Sequence, residues 1–419
     1  MRTRTSWLAL LLSAGVALAP GGARGQDYFP PDPVVPLPLY HDRPETGGLF
    51  VAGEFMFFRQ TNPLKPQTVA FRGVRDFDGS INADIHGTTI EPLNGGPPFI
   101  LPNENFRTPG AFIGSGADAL NTQQVRGPQT FEPGFRFTMG WRFQGGTTFE
   151  ASWFSLLETK YNAVASIAPP SFNPGVDLAD SFITSPVFNF PNEFAGPANK
   201  IALGNPGAAF GIWDAASVMT EKFVQRFDQF DMTARIPIAE SDCNRCYGLI
   251  GPRVVWIWEN FGWRTVAEDF TGQSEQDWVA IYSNVTSNAL WGAHVGCGDE
   301  WRLGDSPMGT FSVSLDLNAG VFMDFVHEEA KYERGDFFTS SKISHREVKP
   351  AGELEAALNL WWYPIEGVQV RIGYDAMGFF NTVSSPYPVN FNYSLGQNLW
   401  RDGTFRFIDG VNLGVGFIF

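Results

Sequence analysis

Residues 133–144 read Pro-Gly-Phe-Arg-Phe-Thr-Met-Gly-Trp-Arg-Phe-Gln, and the order of apolar and polar side chains in this stretch decides the fold. Phe135, Phe137, Met139, Trp141 and Phe143 occupy the odd positions, while Arg136, Thr138, Gly140, Arg142 and Gln144 occupy the even ones. Successive side chains of a strand point to opposite faces, so this segment as a strand is wholly apolar on one side and polar or small on the other. After Gly145-Gly146 the pattern resumes, with Phe149, Ala151 and Trp153 opposite Thr148, Glu150 and Ser152. A tight Gly-Gly connection between two such runs is the signature of a β-hairpin.

The same period recurs along the chain. Phe311, Val313, Leu315, Leu317, Ala319, Val321, Met323 and Phe325 share one face of a run in which only Phe322 interrupts the other. Leu354 to Trp362 and Val368 to Tyr374 alternate on either side of the turn Pro364-Ile365-Glu366-Gly367. Leu49 to Arg59 forms another copy, with Glu54 facing inward, and so does Phe230, Met232, Ala234 and Ile236 against Asp231, Thr233 and Arg235. Soluble sheets with one wet face and transmembrane barrels both produce alternation. Run length separates them: strands of soluble domains average about five or six residues, whereas a strand crossing a bilayer needs about 9–11. Several runs here reach that length, and Trp141, Trp153, Trp256, Trp258, Trp361, Trp362 and Tyr374 sit toward the ends of theirs, as girdle residues do. The expected fold is all-β, a transmembrane antiparallel up-and-down β-barrel of about 10 to 12 strands with long extracellular loops.

Ten runs satisfy the alternation of strand direction, at about 48–59, 133–144, 146–158, 227–237, 247–260, 286–298, 309–325, 346–363, 368–380 and 405–419. Short connections then lie on the periplasmic side with both termini, and long ones lie outside. The count becomes twelve if Lys65–Ile90 or Val176–Phe190 hides a further hairpin.

Composition agrees and narrows the partners. The 419 residues are 15% aromatic and 17% charged, with a formal charge of −15. So acidic a chain argues against nucleic acid or an anionic membrane surface as main partner, since both need clustered Lys and Arg, and the sparse charge excludes a coiled coil. Arg2 and Arg4 precede an apolar stretch, Trp7–Ala19, that is followed by small residues, the layout of a secretory signal peptide covering residues 1–25. Its removal discards Arg2, Arg4 and Arg24 and no acid, taking the charge from −15 to −18. Residues 26–47, with Pro30, Pro31, Pro33, Pro36 and Pro38, read as a Pro-rich periplasmic lead, and residues 48–419 as the barrel.

At the other end Val411, Leu413, Val415, Phe417 and the final Phe419 lie on one face. This resembles the C-terminal membrane-insertion signal of bacterial outer-membrane barrels, which implies the barrel-insertion machinery and outer-membrane lipid as partners. With the early strand Gly53-Glu54-Phe55-Met56-Phe57-Phe58 and the Pro-rich lead, the layout from Leu49 to Phe419 resembles the Legionella-type pore-forming outer-membrane barrels and the related barrels of planctomycetes. The resemblance implies location in the cell outer membrane.

On the inferred lumen face stand Glu54, Glu150, Asp231, Glu259, Asp316, Asp324, Glu353, Glu355 and Asp375 against Arg136, Arg142, Arg235, Arg253 and Arg371. Nine acids to five bases permit either mutual pairing or a cation-favouring path. Cys243-Asn244-Arg245-Cys246 falls in a predicted periplasmic turn and Cys297 near it, so a disulfide among Cys243, Cys246 and Cys297 is expected. Asp324, His327 and Glu328 fall near the outer rim, where an acid and a His could meet, but no second acidic pair accompanies them. No phosphate loop, nucleophile elbow, metal-binding His pair or cofactor motif is present, so a non-enzymatic role is expected. The leading expectation is a porin-like barrel passing small solutes or ions, with a cation preference if it conducts; the alternative is a non-conducting structural or surface-interaction barrel whose loops bind ligands or partners. A secreted soluble adhesin is a third, set apart by extraction without detergent.

Overall fold

Alternation at period two closes on itself. The computed structural model describes residues 48–76, 88–90, 99–101, 111–113, 116–126, 131–143, 145–166, 182–187, 212–213, 216–241, 243–268, 273–338, 340–365, 367–392 and 403–419. The signal segment 1–25 and the Pro-rich lead 26–47 lie outside the described residues. Ten strands form one closed antiparallel barrel in chain order: β1 (Gly48–Gln60), β2 (Glu132–Arg142), β3 (Thr148–Ser166), β4 (Val218–Glu240), β5 (Asn244–Val266), β6 (Val279–Ser306), β7 (Gly309–Arg334), β8 (Ser340–Ile365), β9 (Val368–Val383) and β10 (Gly403–Ile418). First and last strands close the ring, from Phe50↔Ile418 to Gln60↔Ile408. The connections at residues 143–147, 241–243, 307–308 and 366–367 share one end with both strand termini of the ring, the periplasmic end by turn length.

The apolar face of every run looks outward. Phe135, Phe137, Met139 and Trp141 on β2, Val321, Met323 and Phe325 on β7, and Leu413, Val415 and Phe417 on β10 are exposed, as a hydrocarbon-facing belt requires. Acids interrupt this belt at Asp299 on β6, between Cys297 and Trp301, and at Asp409 on β10, between Phe407 and Val411, where Arg59 of β1 donates to Asp409 at 2.9 and 3.0 Å and the Tyr374 hydroxyl of β9 donates to it as well. Trp361, expected in the girdle, is instead buried inside and donates to Ser314 Oγ at 2.9 Å, while Trp362 faces out.

The strands run past their expected outer ends because the polarity of the alternation inverts there. On β4 the outward residues change from Phe230, Met232 and Ile236 to Lys222 and Arg226, while the inward ones change from Asp231, Thr233 and Arg235 to Met219, Phe223 and Phe227. The period is unbroken; only the wet and dry faces exchange. On β7 the same exchange follows Phe325, with His327, Glu329, Lys331 and Glu333 outside and Val326, Ala330 and Tyr332 inside.

Those inward apolar ends pack against the connections. Strands Thr68–Arg72, Asp118–Asn121 and Ile183–Thr184 form a separate three-stranded sheet, so the segments that were candidates for two extra barrel strands pair with each other and the barrel count is ten. Leu64, Val69, Leu120, Ile183, Trp213 and Val389 from three connections share one apolar cluster with Met219, Phe223, Trp263, Tyr282 and Tyr332. Hydroxyls tether it: Tyr332 donates to Asn390 O at 2.7 Å, Thr265 to Ile212 O and Tyr282 to Pro388 O. The outer mouth is therefore plugged.

Deeper in the bore lies a second apolar layer. Phe58, Phe154, Phe227, Phe322, Phe379 and Ile408, with Met56, Leu156, Val255, Ile257, Leu290, Ala351 and Met377, form one buried cluster to which nine of the ten strands contribute. β2 places Gly134 opposite Met56; a Cβ there would come within 2.8 Å of Leu156 Cδ2, so the missing side chain is the room Leu156 occupies. Phe322, the interruption in the β7 pattern, belongs to this layer. Truncation of its central ring, Phe154→Ala, is expected to cost about 3–5 kcal/mol, measured by guanidinium unfolding in detergent micelles, with no loss from the outward Phe137→Ala beyond about 1 kcal/mol.

Candidate functional site: the buried charge network

Between the apolar layer and the periplasmic end the inward face turns ionic. Glu54 and Arg136 are cross-strand partners on β1 and β2, which puts their side chains on one face of adjacent strands. Arg136 reaches Glu54 at 3.5 Å and Asp375 at 3.0 Å, and Arg371 reaches Glu54 at 2.9 Å and Asp375 at 3.4 Å. The four close a ring of alternating sign. Glu54 can lean across β10 toward Arg371 because Gly414 lies beneath it: a Cβ at that position would meet Glu54 Cγ at 2.5 Å.

Arg253 on β5 forms the second group. Its cross-strand partner Asp231 accepts at 2.5 Å, and the same guanidinium spans the bore to Glu353 and Glu355 of β8, each at 2.8 Å. Arg235 forms the third, with Glu150 of β3 at 3.3 Å and Asp316 of β7 at 3.6 Å. Its guanidinium stacks on the Tyr247 ring at 4.6 Å, and the Tyr247 hydroxyl donates to Asp316 at 2.6 Å. Arg142, the remaining inferred lumen base, is buried at the periplasmic end of β2. Glu259 pairs higher up with Arg406, and Asp324 is buried on the inner face.

Charges taken out of water are tolerated only when each finds partners of opposite sign. Seven carboxylates here, Glu54, Glu150, Asp231, Asp316, Glu353, Glu355 and Asp375, share four guanidiniums, so every arginine serves at least two acids. Between the groups remains a polar cavity of about 90 Å³ bordered by Glu54, Asp231, Arg235, Arg253, His294 and Asn318. That is room for a few water molecules. His294 faces Thr233 Oγ1 at 3.2 Å. Tyr247, His294 and Arg406 escaped the sequence reading, and Asn318 stood only on the polar face of its run; all four are single polar or aromatic positions on the inward register of runs whose partners come from distant strands.

The other sequence expectations resolve as follows. Val411, Leu413, Val415, Phe417 and Phe419 are all exposed on the outer face. The expected disulfide is absent: Cys243, Cys246 and Cys297 are free thiols. In the β5–β6 register Cys246 faces Asp299 and Cys297 faces Gly248, so the two cysteines are diagonal neighbours. Diagonal positions lie about 7–8 Å apart, beyond the roughly 3.8 Å between Cβ atoms that a disulfide needs. Asp324 and His327 stand on opposite faces of β7, so the rim acid and histidine do not converge.

No family model matches the chain, and no curated protein matches it. Among solved structures it aligns with the outer membrane protease OmpT from Escherichia coli at 8% identity, over 89% of this chain and 97% of that one, with a TM-score of 0.39. A FadL homologue of Pseudomonas aeruginosa follows at 6% identity, 88% and 90% coverage and a TM-score of 0.20. An anion-selective porin from Comamonas acidovorans aligns at 8% identity, 89% and 99% coverage and a TM-score of 0.13. A protease and a porin stand side by side in that set, so no activity passes from it to this chain.

Two outcomes test the site. Arg253→Leu strands three buried carboxylates and is expected to cost about 3–5 kcal/mol, most of which returns when Asp231→Asn, Glu353→Gln and Glu355→Gln are added; unfolding of both variants in micelles measures it. Thiol titration of the unreduced, denatured protein is expected to count three reactive cysteines; a count of one would show that a bridge forms.

Proposed function

We propose that this chain is an exported outer-membrane barrel with a closed bore, acting as a surface-interaction or structural barrel rather than an open porin. The observation that carries the reading is the apolar layer from Phe58 through Phe154, Phe227, Phe322 and Phe379, which fills the cross-section between the charge network and the plugged mouth. A hydrated ion crossing that layer would shed its water against side chains that, apart from Asp324 and Gln229 at its margin, offer nothing in return. Ten strands lie between the eight whose interior side chains fill and the sixteen to eighteen that leave an aqueous channel, so the packing of this bore decides the matter. Outer-membrane lipid covers the belt in this reading, and Val411, Leu413, Val415, Phe417 and Phe419 address the insertion machinery. Binding then falls to the outer surface, and no catalytic role is assigned.

The acid excess around the 90 Å³ cavity favours one further reading. Glu54, Arg136, Arg142, Glu150, Asp231, Arg235, Arg253, Asp316, Glu353, Glu355, Arg371 and Asp375 would line a cation-preferring path if the apolar layer parted. Single-channel recording on the purified, folded protein discriminates: silence at 150 mV supports the closed barrel, and stable conductance steps reinstate the porin. A reversal potential on the anion side would remove the cation path.

A further inference from the structure

Beyond the belt, the outward face of the tall strands β4–β8 carries bases whose counter-charges are missing. Reading outward from the last apolar position, β4 presents Asp228, Arg226 and Lys222, β5 presents Trp258 and Arg264, β7 presents His327, and β8 presents Arg346 and Lys342. The strand register puts Arg226 beside Trp258 and, four residues further along the strand, Lys222 beside Gly262, with Arg264 diagonal to it. His327 and Arg346 are direct partners across β7 and β8. The other lysines on this surface are already paired, Lys331 with Glu333 at 2.5 Å and Lys342 with Glu329 at 2.7 Å, while Asp228, held by the Ser155 hydroxyl at 2.7 Å, keeps its negative charge at the edge of the belt. Lys222, Arg226, Arg264 and Arg346 are exposed and have no carboxylate partner among the described residues, Arg346 touching only His327 Nδ1 at 3.3 Å.

The sign of this surface is opposite to that of the chain, which carries −15 overall. Its position is equally specific. Arg226, flanked by the Trp258 indole, and Arg346 are held just past the hydrocarbon belt, at the level where lipid headgroups begin, with Lys222 and Arg264 four and six residues farther out along their strands; guanidinium groups bind phosphate oxygens through paired N–H donors. A soluble acidic partner would need no such alignment with the edge of the belt.

We propose that the collar formed by Lys222, Arg226, Arg264 and Arg346 docks the phosphate-bearing headgroups of lipids in the outer leaflet. The inference rests on the outer-membrane reading and names the lipid chemistry that this reading leaves open. The lipid's phosphate lies against the exposed bases, its chains run down over Trp256 and Phe230, and the tall strands gain a fixed depth in the membrane.

The test uses the full, folded protein in dodecylmaltoside micelles doped with dioleoyl phosphatidic acid or dioleoyl phosphatidylcholine at equal mole fraction. Phosphatidic acid is expected to raise Tm by about 3–5 °C, phosphatidylcholine and free inorganic phosphate by less than about 1 °C. The quadruple variant Lys222→Gln, Arg226→Gln, Arg264→Gln, Arg346→Gln is expected to lose at least about two-thirds of that shift. These residues are exposed, so the variant folds; Lys331→Gln with Lys342→Gln, whose charges are already paired, keeps the shift. Retention of the full shift by the quadruple variant, an equal shift from free phosphate, or an equal shift from phosphatidylcholine overturns the proposal while leaving the barrel reading intact. A wild-type chain that stays folded in plain buffer and enters neither micelles nor bilayers overturns both.

Discussion

Backbone hydrogen bonding in hydrocarbon is the constraint from which the rest follows. Inside a bilayer no water is present to satisfy a peptide N–H or C=O, so a sheet must have no edge. The pairing of β1 with β10 removes the last one. Once the ring is shut, its circumference is fixed at ten strands, and the space enclosed must be filled with side chains or left to water. In this protein the belt dictates what the outside is made of, and the bore is divided into an ionic section, an apolar section and a plugged mouth.

Both faces of the outer half answer to the same requirement with opposite chemistry. Above the belt the outside is wet and the inside is packed, which is the arrangement of an ordinary soluble barrel. Within the belt the arrangement is inside out. A single strand such as β4 passes through both regimes in one register with β5, its ladder interrupted only opposite Gly251-Pro252, where proline has no N–H to donate, and shifted between Pro237 and Ala239 at the periplasmic end.

That change of regime explains what could and could not be read from the residues. The belt segments were legible because greasy and polar positions alternate cleanly, as in Phe135–Phe143 and Phe311–Phe325, and the ten-strand order and the side of each turn followed. The outer extensions were not, because a reading that asks only for apolar-outside stops at Phe230 on β4, where the alternation merely changes hands. The inner apolar layer did leave a mark. Where alternation lapses into consecutive apolar residues, as at Phe55–Phe58, around Phe322 and at Phe379-Phe380, both faces are dry, and Met56, Phe58, Phe322 and Phe379 are the inward members. The identity of the lumen charges was legible from their register, but their pairing was not. Arg253 meets Glu353 and Glu355 across the bore, about a hundred residues along the chain, and no local pattern encodes such a meeting.

The trio of Asp409, Arg59 and Tyr374 has a bearing on how such a ring is assembled. Asp409 belongs to the final strand and its guanidinium partner to the first, so the seam of the cylinder is also where a lipid-facing anion is neutralised. Before the two ends of the chain come together, that carboxylate faces the membrane without its cation, and a half-made sheet is penalised for entering. Sealing the hoop lifts the penalty in one step. Closing the cylinder and neutralising its outward-facing seam are therefore one event.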